Sequence, residues 1–228
     1  MKISGLQKLT LLDYPGQTAC TVFLSGCNFQ CPFCHNSSLI GAQGEEFISA
    51  EEFFRFLDKR ARVLDGVCVS GGEPLLCSDT VDFIKKIKGK GFKVKLDTNG
   101  SFPDRLEELI EGGLIDYCAM DIKNSQEKYA LTAGVPDLDI SQVLKSVEIL
   151  KRGRIEYEFR TTVARELHRG EDFEKIGLWL NGADKYYLQK YRETDNVLKK
   201  GFTPYSDEEM QSFLDIIGDK VKHKGLRG

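Results

Sequence analysis

Residues 66–121 read GVCVSGGEPLLCSDTVDFIKKIKGKGFKVKLDTNGSFPDRLEELIEGGLIDYCAMD, and this stretch decides the fold. Short apolar runs alternate in it with longer runs whose apolar residues recur every three or four positions. The first pattern is typical of a strand and the second of an amphipathic helix. The stretch therefore predicts three strands and two helices in alternation, at Gly66–Ser70, Asp79–Lys88, Phe92–Asp97, Asp104–Glu111 and Asp116–Asp121.

The same alternation continues on both sides of this stretch. Before it, we predict a strand at Ala19–Leu24 and a helix that starts at Ser49, where Ser49 and Glu52 have the spacing of a capping box. After it, helices again alternate with strands, at Ser141–Arg152, Ile155–Val163, Glu171–Leu180, Lys185–Gln189 and in a last helix capped by Ser206 and Glu209. The chain thus contains about six strand–helix units.

Successive strand–helix units imply right-handed crossovers and a parallel sheet covered by helices. A closed barrel of eight units typically takes about 250 residues. Six units in 228 residues therefore fit either an incomplete (β/α)6 barrel or a doubly wound sheet. In both α/β architectures, the chemistry lies at the carboxyl ends of the strands.

The composition is that of an ordinary globular chain. Lys and Arg number 32 against 35 Asp and Glu, a net charge of −3, which argues against a nucleic-acid partner. No apolar run reaches the roughly 18 residues of a membrane span, and the first residues show no apolar signal segment. We expect a cytoplasmic protein without a membrane partner. We also expect one domain over 1–228, with a core at about 18–191 and a C-terminal helix and tail at 206–228.

Seven cysteines divide into a crowded group and a scattered one. Disulfides are rare in the cytosol. Cys20, Cys68 and Cys118 lie in apolar runs, so we expect them to be buried as small hydrophobic residues. Cys77 lies in a predicted turn and carries no information.

The crowded group is CNFQCPFC at residues 27–34, in a loop after the first predicted strand. A structural zinc site needs four protein ligands, and the nearby candidate His35 is adjacent to Cys34, which makes joint binding of one ion awkward. A four-iron cluster takes one thiolate per iron, so three cysteines leave one iron open to a substrate or cofactor. The spacing favours such a cluster on Cys27, Cys31 and Cys34.

This segment resembles the signature of the radical S-adenosylmethionine enzymes. The resemblance implies an incomplete parallel barrel, one [4Fe-4S] cluster on the three cysteines, and S-adenosylmethionine chelated by the open iron. Phe33 matches the aromatic residue that packs near the adenine in that family. The strand end SGGEP resembles the family's GGE motif, which implies that Gly71, Gly72 and Glu73 meet the methionine amino group.

Two more strand ends resemble a branch of this family, the activating enzymes of glycyl radical enzymes. They are LDTNG at 96–100 and MDIK at 120–123. The likeness implies a monovalent cation site formed by Asp97, Thr98 and Asp121 beside the methionine carboxylate.

The same likeness assigns two cationic side chains. It implies that Lys123 contacts the cofactor or the incoming glycine loop, as a catalytic residue beside the three cysteines, and that Arg160 meets the methionine carboxylate. An Asp and a Lys two residues apart on a strand point to one face. The alternative for Asp121 and Lys123 is a surface ion pair, which contributes little.

The beginning of the chain resembles one subgroup, the activating proteins of anaerobic ribonucleoside-triphosphate reductase. The motifs concerned are GLQK at 5–8, LDYPG at 12–16, TVFL at 21–24 and CHN at 34–36. Between Cys34 and Cys68 the chain has no cysteine, where some activases insert ligands of further clusters, so we expect one cluster. Gln189, expected in the cofactor pocket, stands where pyruvate formate-lyase activases carry a histidine.

The resemblance implies an oxidoreductase. An electron from flavodoxin or ferredoxin would cleave S-adenosylmethionine, and the resulting 5′-deoxyadenosyl radical would take hydrogen from a glycine of a partner enzyme. We expect that partner to be anaerobic ribonucleoside-triphosphate reductase. The alternatives are activation of pyruvate formate-lyase or another glycyl radical enzyme, a small-molecule enzyme such as a deazaguanine synthase, and a metal-binding module without catalysis.

Two histidines and the C-terminal segment are expected to lie outside the site. His168 and His223 show no ligand spacing and are predicted to lie at the surface. The basic segment Lys220–Arg227 is interpreted as a solvated tail rather than a docking patch for an acidic partner.

Overall fold

The computed structural model describes residues 1–41 and 47–227. Eight strands in these residues form one sheet, in which each strand lies beside its neighbours in sequence. The strands are β1 Ile3–Thr10, β2 Ala19–Leu24, β3 Gly66–Gly71, β4 Lys93–Thr98, β5 Tyr117–Asp121, β6 Glu156–Val163, β7 Lys185–Lys190 and β8 His223–Arg227. Strands β2 to β8 are parallel, and β1 is antiparallel to β2.

Helices connect the parallel strands. They are α1 Ala50–Arg60, α2 Thr80–Gly89, α3 Pro103–Glu111, the short α4 Tyr129–Ala133, α5 Ser141–Lys151, α6 Gly170–Trp179 and α7 Asp207–Ile217. Both predicted capping boxes are present, from Ser49 to Glu52 before α1 and from Ser206 to Glu209 before α7. These reciprocal bonds satisfy amide groups that the first helical turn leaves free, and thereby set where the two helices begin.

The strand order decides between the two predicted architectures. A doubly wound sheet reverses its order at a switch point, whereas this sheet follows the sequence from β1 to β8. Within residues 1–41 and 47–227, β1 and β8 do not pair, so the sheet is unclosed. The six predicted strands correspond to β2 through β7, and the predicted α/β fold with an incomplete parallel barrel is confirmed.

The two outer strands were not predicted. In particular, the interpretation of Lys220–Arg227 as a solvated tail is wrong, because most of this segment forms β8 and pairs with β7. The guanidinium of Arg227 lies 3.9 Å from the ring centroid of Tyr187 and is hydrogen-bonded to the fully buried Glu158. Residues His223–Arg227 therefore add a strand to the sheet through their backbone, and the side chain of Arg227 reaches a buried carboxylate.

The two faces of the sheet have different chemistry. Val67, Val94 and Leu96 are fully buried in the apolar core that the helices cover. Alternate residues of the same strands carry charge: Lys95, with 1% of its surface exposed, is hydrogen-bonded to Asp97 on the same strand. Because side chains alternate along a strand, the face opposite the helices is polar, and it leads to the carboxyl ends of the strands.

Buried cysteines and one histidine complete the interior. Cys20, Cys68 and Cys118 are fully buried, as predicted. The prediction that His168 lies at the surface is wrong: its ring is fully buried and stacks on Phe173 at 6.0 Å. Spacing along the chain cannot reveal this, because the pocket around the ring is formed by segments distant in sequence. Among the described helices, none has both the length and the apolar character that crossing a bilayer requires.

Candidate active site

A cavity of about 190 Å³ lies at the carboxyl ends of β2 to β6. It brings together residues from five consecutive strand ends, as the parallel topology requires. The predicted site residues that line it are Cys27, Cys31, Phe33, Cys34, Gly71, Gly72, Asp97, Thr98, Asp121, Lys123 and Arg160. The arrangement places three thiols and a set of charged groups around one volume.

The cysteine loop is held against the β3 end by backbone contacts. The amide of Glu73 donates to the carbonyl of Gly26 at 2.7 Å, and the amide of Gly72 donates to Leu24 at 3.0 Å. A Cβ at Gly72 would overlap the carbonyl group of Gly26, and one at Gly71 would overlap the backbone of Leu24. The paired glycines therefore allow the end of β3 to approach the cysteine loop.

The three thiols lie in a partly apolar wall of the cavity. Cys31 is buried, and Cys27 and Cys34 are half-buried. Burial raises the pKa of all three thiols, to about 12 for Cys27, and the nearby Lys123 ammonium acts in the opposite direction. The amide of Phe29 also donates to the sulfur of Cys27 at 3.4 Å. Such thiols become thiolates readily only when a metal supplies the compensating charge.

Asp97 at the end of β4 is bound on both carboxylate oxygens. Its Oδ1 accepts a hydrogen bond from Lys95 and lies 3.6 Å from Nη1 of Arg160. Its Oδ2 accepts from the hydroxyl of Ser70 at 2.9 Å and lies 3.7 Å from the sulfur of Cys68. Burial raises the pKa of Asp97, but the charges of Lys95 and Arg160 outweigh it, so the pKa is lowered and the group is a carboxylate.

Asp121 at the end of β5 is bound in the same way. Arg160 contacts its Oδ1 through Nε and Nη2, both at 3.1 Å, and Lys123 donates to its Oδ2 at 3.0 Å. Burial opposes ionisation, yet the two cations lower the pKa of Asp121 to about 2. Asp121 in turn outweighs the burial of Lys123 and keeps the pKa of the ammonium raised. All of these groups are therefore charged near neutral pH.

Glu73 and Gln189 are not among the described residues that line the cavity. The Glu73 side chain is buried, and its carboxylate accepts from the amides of Leu75 at 2.9 Å and Asn99 at 2.6 Å and from the Thr98 hydroxyl at 2.9 Å. Burial raises the pKa of Glu73 to about 7, against these three bonds, which favour the ionised form. This carboxylate connects the loops after β3 and β4.

Several residues at or next to the cavity, among them Asn99 and Lys95, were not predicted from the sequence. Asn99 lines the cavity. Its side-chain Nδ2 lies 3.9 Å from the sulfur of Cys27 and donates to the side-chain Oδ1 of Asn28 at 3.0 Å. Lys95 lies below the cavity as the partner of Asp97. The position of Asn99 at a strand end was a signal that it belongs to the site. The charge of Lys95 in a buried part of β4 was a signal that it has a partner, because an unpaired buried ammonium is costly.

The described part of the chain holds no group of three or more His, Cys, Asp or Glu side chains arranged to bind a single metal ion. The three cysteines instead surround part of the cavity. His35, adjacent to Cys34, also lines the cavity, and its ring stacks on Tyr191 at 5.6 Å.

The sequence of this chain is similar to that of known proteins. The sequence profile of the radical SAM superfamily matches residues 21–180. A protein of Methanocaldococcus jannaschii, provisionally named a glycyl-radical enzyme activating enzyme, is 35% identical over 85% of this chain and 81% of its own length. The pyruvate formate-lyase-activating enzyme of Clostridium pasteurianum is 30% identical over 64% of this chain and 63% of its own.

Solved structures share the fold. A domain of the pyruvate formate-lyase-activating enzyme from Bacteroides vulgatus covers 72% of this chain over 99% of its own length, with a TM-score of 0.58 and 17% identity. SuiB of Streptococcus suis, in its complex with the precursor peptide SuiA, covers 91% of this chain and 48% of its own, with a TM-score of 0.69 and 15% identity.

Proposed function

Because the chain belongs to the radical SAM superfamily, we propose that it is an activase that generates a glycyl radical on anaerobic ribonucleoside-triphosphate reductase. Its sequence relatives are glycyl-radical enzyme activating enzymes, so the chain is an enzyme of that kind. One observation carries the proposal: one cavity is lined both by three thiols and by two carboxylates that are bound by cations.

Family membership implies a [4Fe-4S] cluster and S-adenosylmethionine, and the residues around the cavity fit both. Cys27, Cys31 and Cys34 supply three soft donors on one loop, and a four-iron cluster takes one thiolate per iron. When bound, the cluster and cofactor together supply the reductive cleavage that yields a 5′-deoxyadenosyl radical.

The charged side of the cavity would position the cofactor. Arg160 holds Asp97 and Asp121 together, and Lys123 adds a second cation facing the cavity. A guanidinium fixed by two carboxylates retains a defined orientation toward a third. We assign Arg160 and Lys123 to the methionine carboxylate.

The apolar and backbone groups would define the rest of the pocket. Phe33 is buried and lines the cavity, where it would pack on the adenine. The peptide groups of Gly71 and Gly72 line the cavity and would face the methionine amino group. Glu73 would act indirectly, through its bonds to Asn99 and Thr98. Gln189 has no assigned contact in this proposal.

The choice of partner rests on the likeness of residues 5–36 to reductase-activating proteins and on the open edge of the sheet. A protein loop needs a lateral opening wider than that required by a small substrate. An activase of pyruvate formate-lyase is the alternative that a 30% identical relative supports. We further propose that residues 1–228 act as one domain, in the cytoplasm, with flavodoxin or ferredoxin as electron donor. Nucleic acid and membrane have no role in the proposal.

The first test is electron paramagnetic resonance of the anaerobically reconstituted, reduced protein, with and without S-adenosylmethionine. We expect a four-iron signal that changes when the cofactor is added. A Cys31→Ala variant should lose the cluster, while Cys77→Ala, a cysteine outside the cavity, should keep it. A signal indifferent to the cofactor would reject the radical mechanism.

The second test addresses the partner. The loaded enzyme, S-adenosylmethionine and a reductant are mixed with the reductase or with pyruvate formate-lyase from the same organism. A glycyl radical signal on the reductase alone supports the proposed partner, and a signal on the lyase alone assigns the alternative. Isotope transfer from a small molecule to 5′-deoxyadenosine, with neither enzyme present, would favour a small-molecule substrate.

A further inference from the structure

The carboxylates expected to form a monovalent cation site do not fit that role. Each oxygen of Asp97 and Asp121 already contacts a side chain of this protein. The hydroxyl of Thr98 donates to Glu73 at 2.9 Å and accepts from the amide of Gly100 at 3.1 Å. A hard cation requires several oxygen ligands directed at one point, whereas these oxygens are directed at nitrogen, oxygen and sulfur donors.

Lys95 places a positive charge of the protein beside Asp97, where a monovalent cation was expected. Only 1% of its side chain is exposed, and its ammonium binds Oδ1 of Asp97 and lies 3.8 Å from the sulfur of Cys68. A lysine ammonium is a compact positive charge with three donors, close in function to a bound ion. The charge of Lys95 acts on Asp97, one of the carboxylates that the cation would bind.

Stability alone does not account for this lysine. Removing an ammonium from water is costly, and a buried ion pair seldom adds net stability over apolar residues of similar size. Val94 and Leu96 on either side are fully buried on the opposite face of β4, whereas Lys95 shares the polar face with Asp97. A charge at this position is therefore better explained by its effect on Asp97 than by folding.

The charge balance agrees with this explanation. Three cations, Lys95, Lys123 and Arg160, face the two carboxylates Asp97 and Asp121. The protein itself therefore supplies a counter-charge for each of the two carboxylates.

We propose that the Lys95 ammonium takes the place of a monovalent cation beside Asp97, so that this protein binds S-adenosylmethionine without K⁺ or Na⁺. Lys95 is a positioning residue, because it acts on the cofactor through Asp97 and Arg160. The inference uses the proposed function only to name S-adenosylmethionine as the ligand. The absence of a cation requirement does not depend on which ligand the site binds.

The first experiment measures S-adenosylmethionine affinity by anaerobic calorimetry on the cluster-loaded protein. The salt is KCl, NaCl or choline chloride at constant ionic strength. For wild type we expect Kd values that agree within about twofold, whereas a coupled cation site would shift them by roughly tenfold. Saturable tightening by K⁺ or Na⁺ in wild type overturns the proposal.

The second experiment compares two substitutions on β4. In Lys95→Met, Asp97 keeps Arg160 but loses the nearer of its two counter-charges, so K⁺ or Na⁺ should now tighten cofactor binding by roughly tenfold, a usual size for coupling between ligands. Lys93→Met removes an exposed lysine from the same strand and should behave like wild type. If the Lys95 variant binds the cofactor normally and is indifferent to the salt, Lys95 does not replace a cation.

A third measurement needs no variant and is made with S-adenosylmethionine bound, because the expected cation site lies beside the methionine carboxylate. Sodium-23 NMR of the cluster-loaded wild type should show no saturable line broadening that K⁺ reverses, and such broadening would overturn the proposal. This readout decides the question even if Lys95→Met fails to fold. Failure of the protein to bind S-adenosylmethionine in any salt would instead reject the proposed function, so the two failures are distinguishable.

Discussion

The imidazole of His168 donates from Nε2 to the backbone carbonyl of Lys123, 45 positions away, at 2.8 Å. Its Nδ1 lies 3.2 Å from both the amide nitrogen and the carbonyl oxygen of Ala164. A fully buried ring thus holds the peptide of the residue whose ammonium faces the cavity. His168 links the core behind β6 to the end of β5.

This contact predicts a pH dependence of folding. Burial lowers the pKa of His168 below its ordinary 6.5, outweighing the bonds to Lys123 and Ala164. Below pH 6.5 the unfolded chain takes up a proton that the folded ring refuses, so His168's contribution to stability is lost as the pH falls. His168→Gln should cost about 1–3 kcal/mol at neutral pH through its broken bonds.

The measurement is urea unfolding of wild type and His168→Gln between pH 5.5 and 7.5. The difference in unfolding free energy should shrink toward low pH, because the variant has no ring to protonate. Taking the difference also cancels the contribution of Glu73, whose raised pKa acts in the opposite direction. His223→Gln, at an exposed position, is the control. A difference that is constant with pH contradicts the assignment.

A second prediction concerns the close approach of Gly72 to Gly26. Gly72→Ala places a methyl group on the carbonyl of Gly26, so the cysteine loop must move. We expect reduced iron content after reconstitution and a loss of about 1–3 kcal/mol in unfolding free energy from overpacking. Gly89→Ala is the matched control, because nothing lies within 4 Å of its added methyl and alanine favours the helix. Equal iron content in both variants would refute the role given to Gly72.

A third prediction tests the C-terminal strand. Arg227→Met removes the cation bound to the fully buried Glu158, whose other partner is the Tyr117 hydroxyl at 2.6 Å. Breaking a buried pair from one side costs 3–5 kcal/mol, and the partial exposure of Arg227 reduces the expected loss to about 1–3 kcal/mol. Chemical unfolding of Arg227→Met, Glu158→Gln and the double variant measures the coupling. Additive losses would show that the pair does not hold β8.

A fourth prediction concerns Arg160. Its fork reaches both Asp97 and Asp121, while a lysine could satisfy one of them. Arg160→Lys should weaken S-adenosylmethionine binding by about tenfold, the equivalent of ~1.4 kcal/mol from one charged hydrogen bond. Arg165→Lys, which alters the contact with Glu209 in another ion pair, serves as the control in the same anaerobic calorimetry. Unchanged affinity in Arg160→Lys would remove Arg160 from the cofactor site.

Local pattern was sufficient for much of this protein. The alternation of apolar periods predicted β2 through β7 and the principal helices, and the spacing of Ser49 and Glu52 placed the start of α1. The cysteine spacing and most of the strand-end motifs predicted residues that meet at the cavity, although Glu73 and Gln189 do not line it. Parallel strands end at a common edge, so the order of motifs along the chain already implies their proximity.

Tertiary structure decided what no local pattern contains. The outer strands β1 and β8 depend on backbone pairing with partners elsewhere in the chain, and their polar side chains do not reveal it. The carboxylate of Glu73 accepts from Asn99, the ring of His168 contacts the Lys123 carbonyl, and the ammonium of Lys95 lies beside Cys68 of the neighbouring strand. The cost of burying a polar group is decided by the partners the folded chain brings to it, whereas periodicity and capping depend only on near neighbours in sequence.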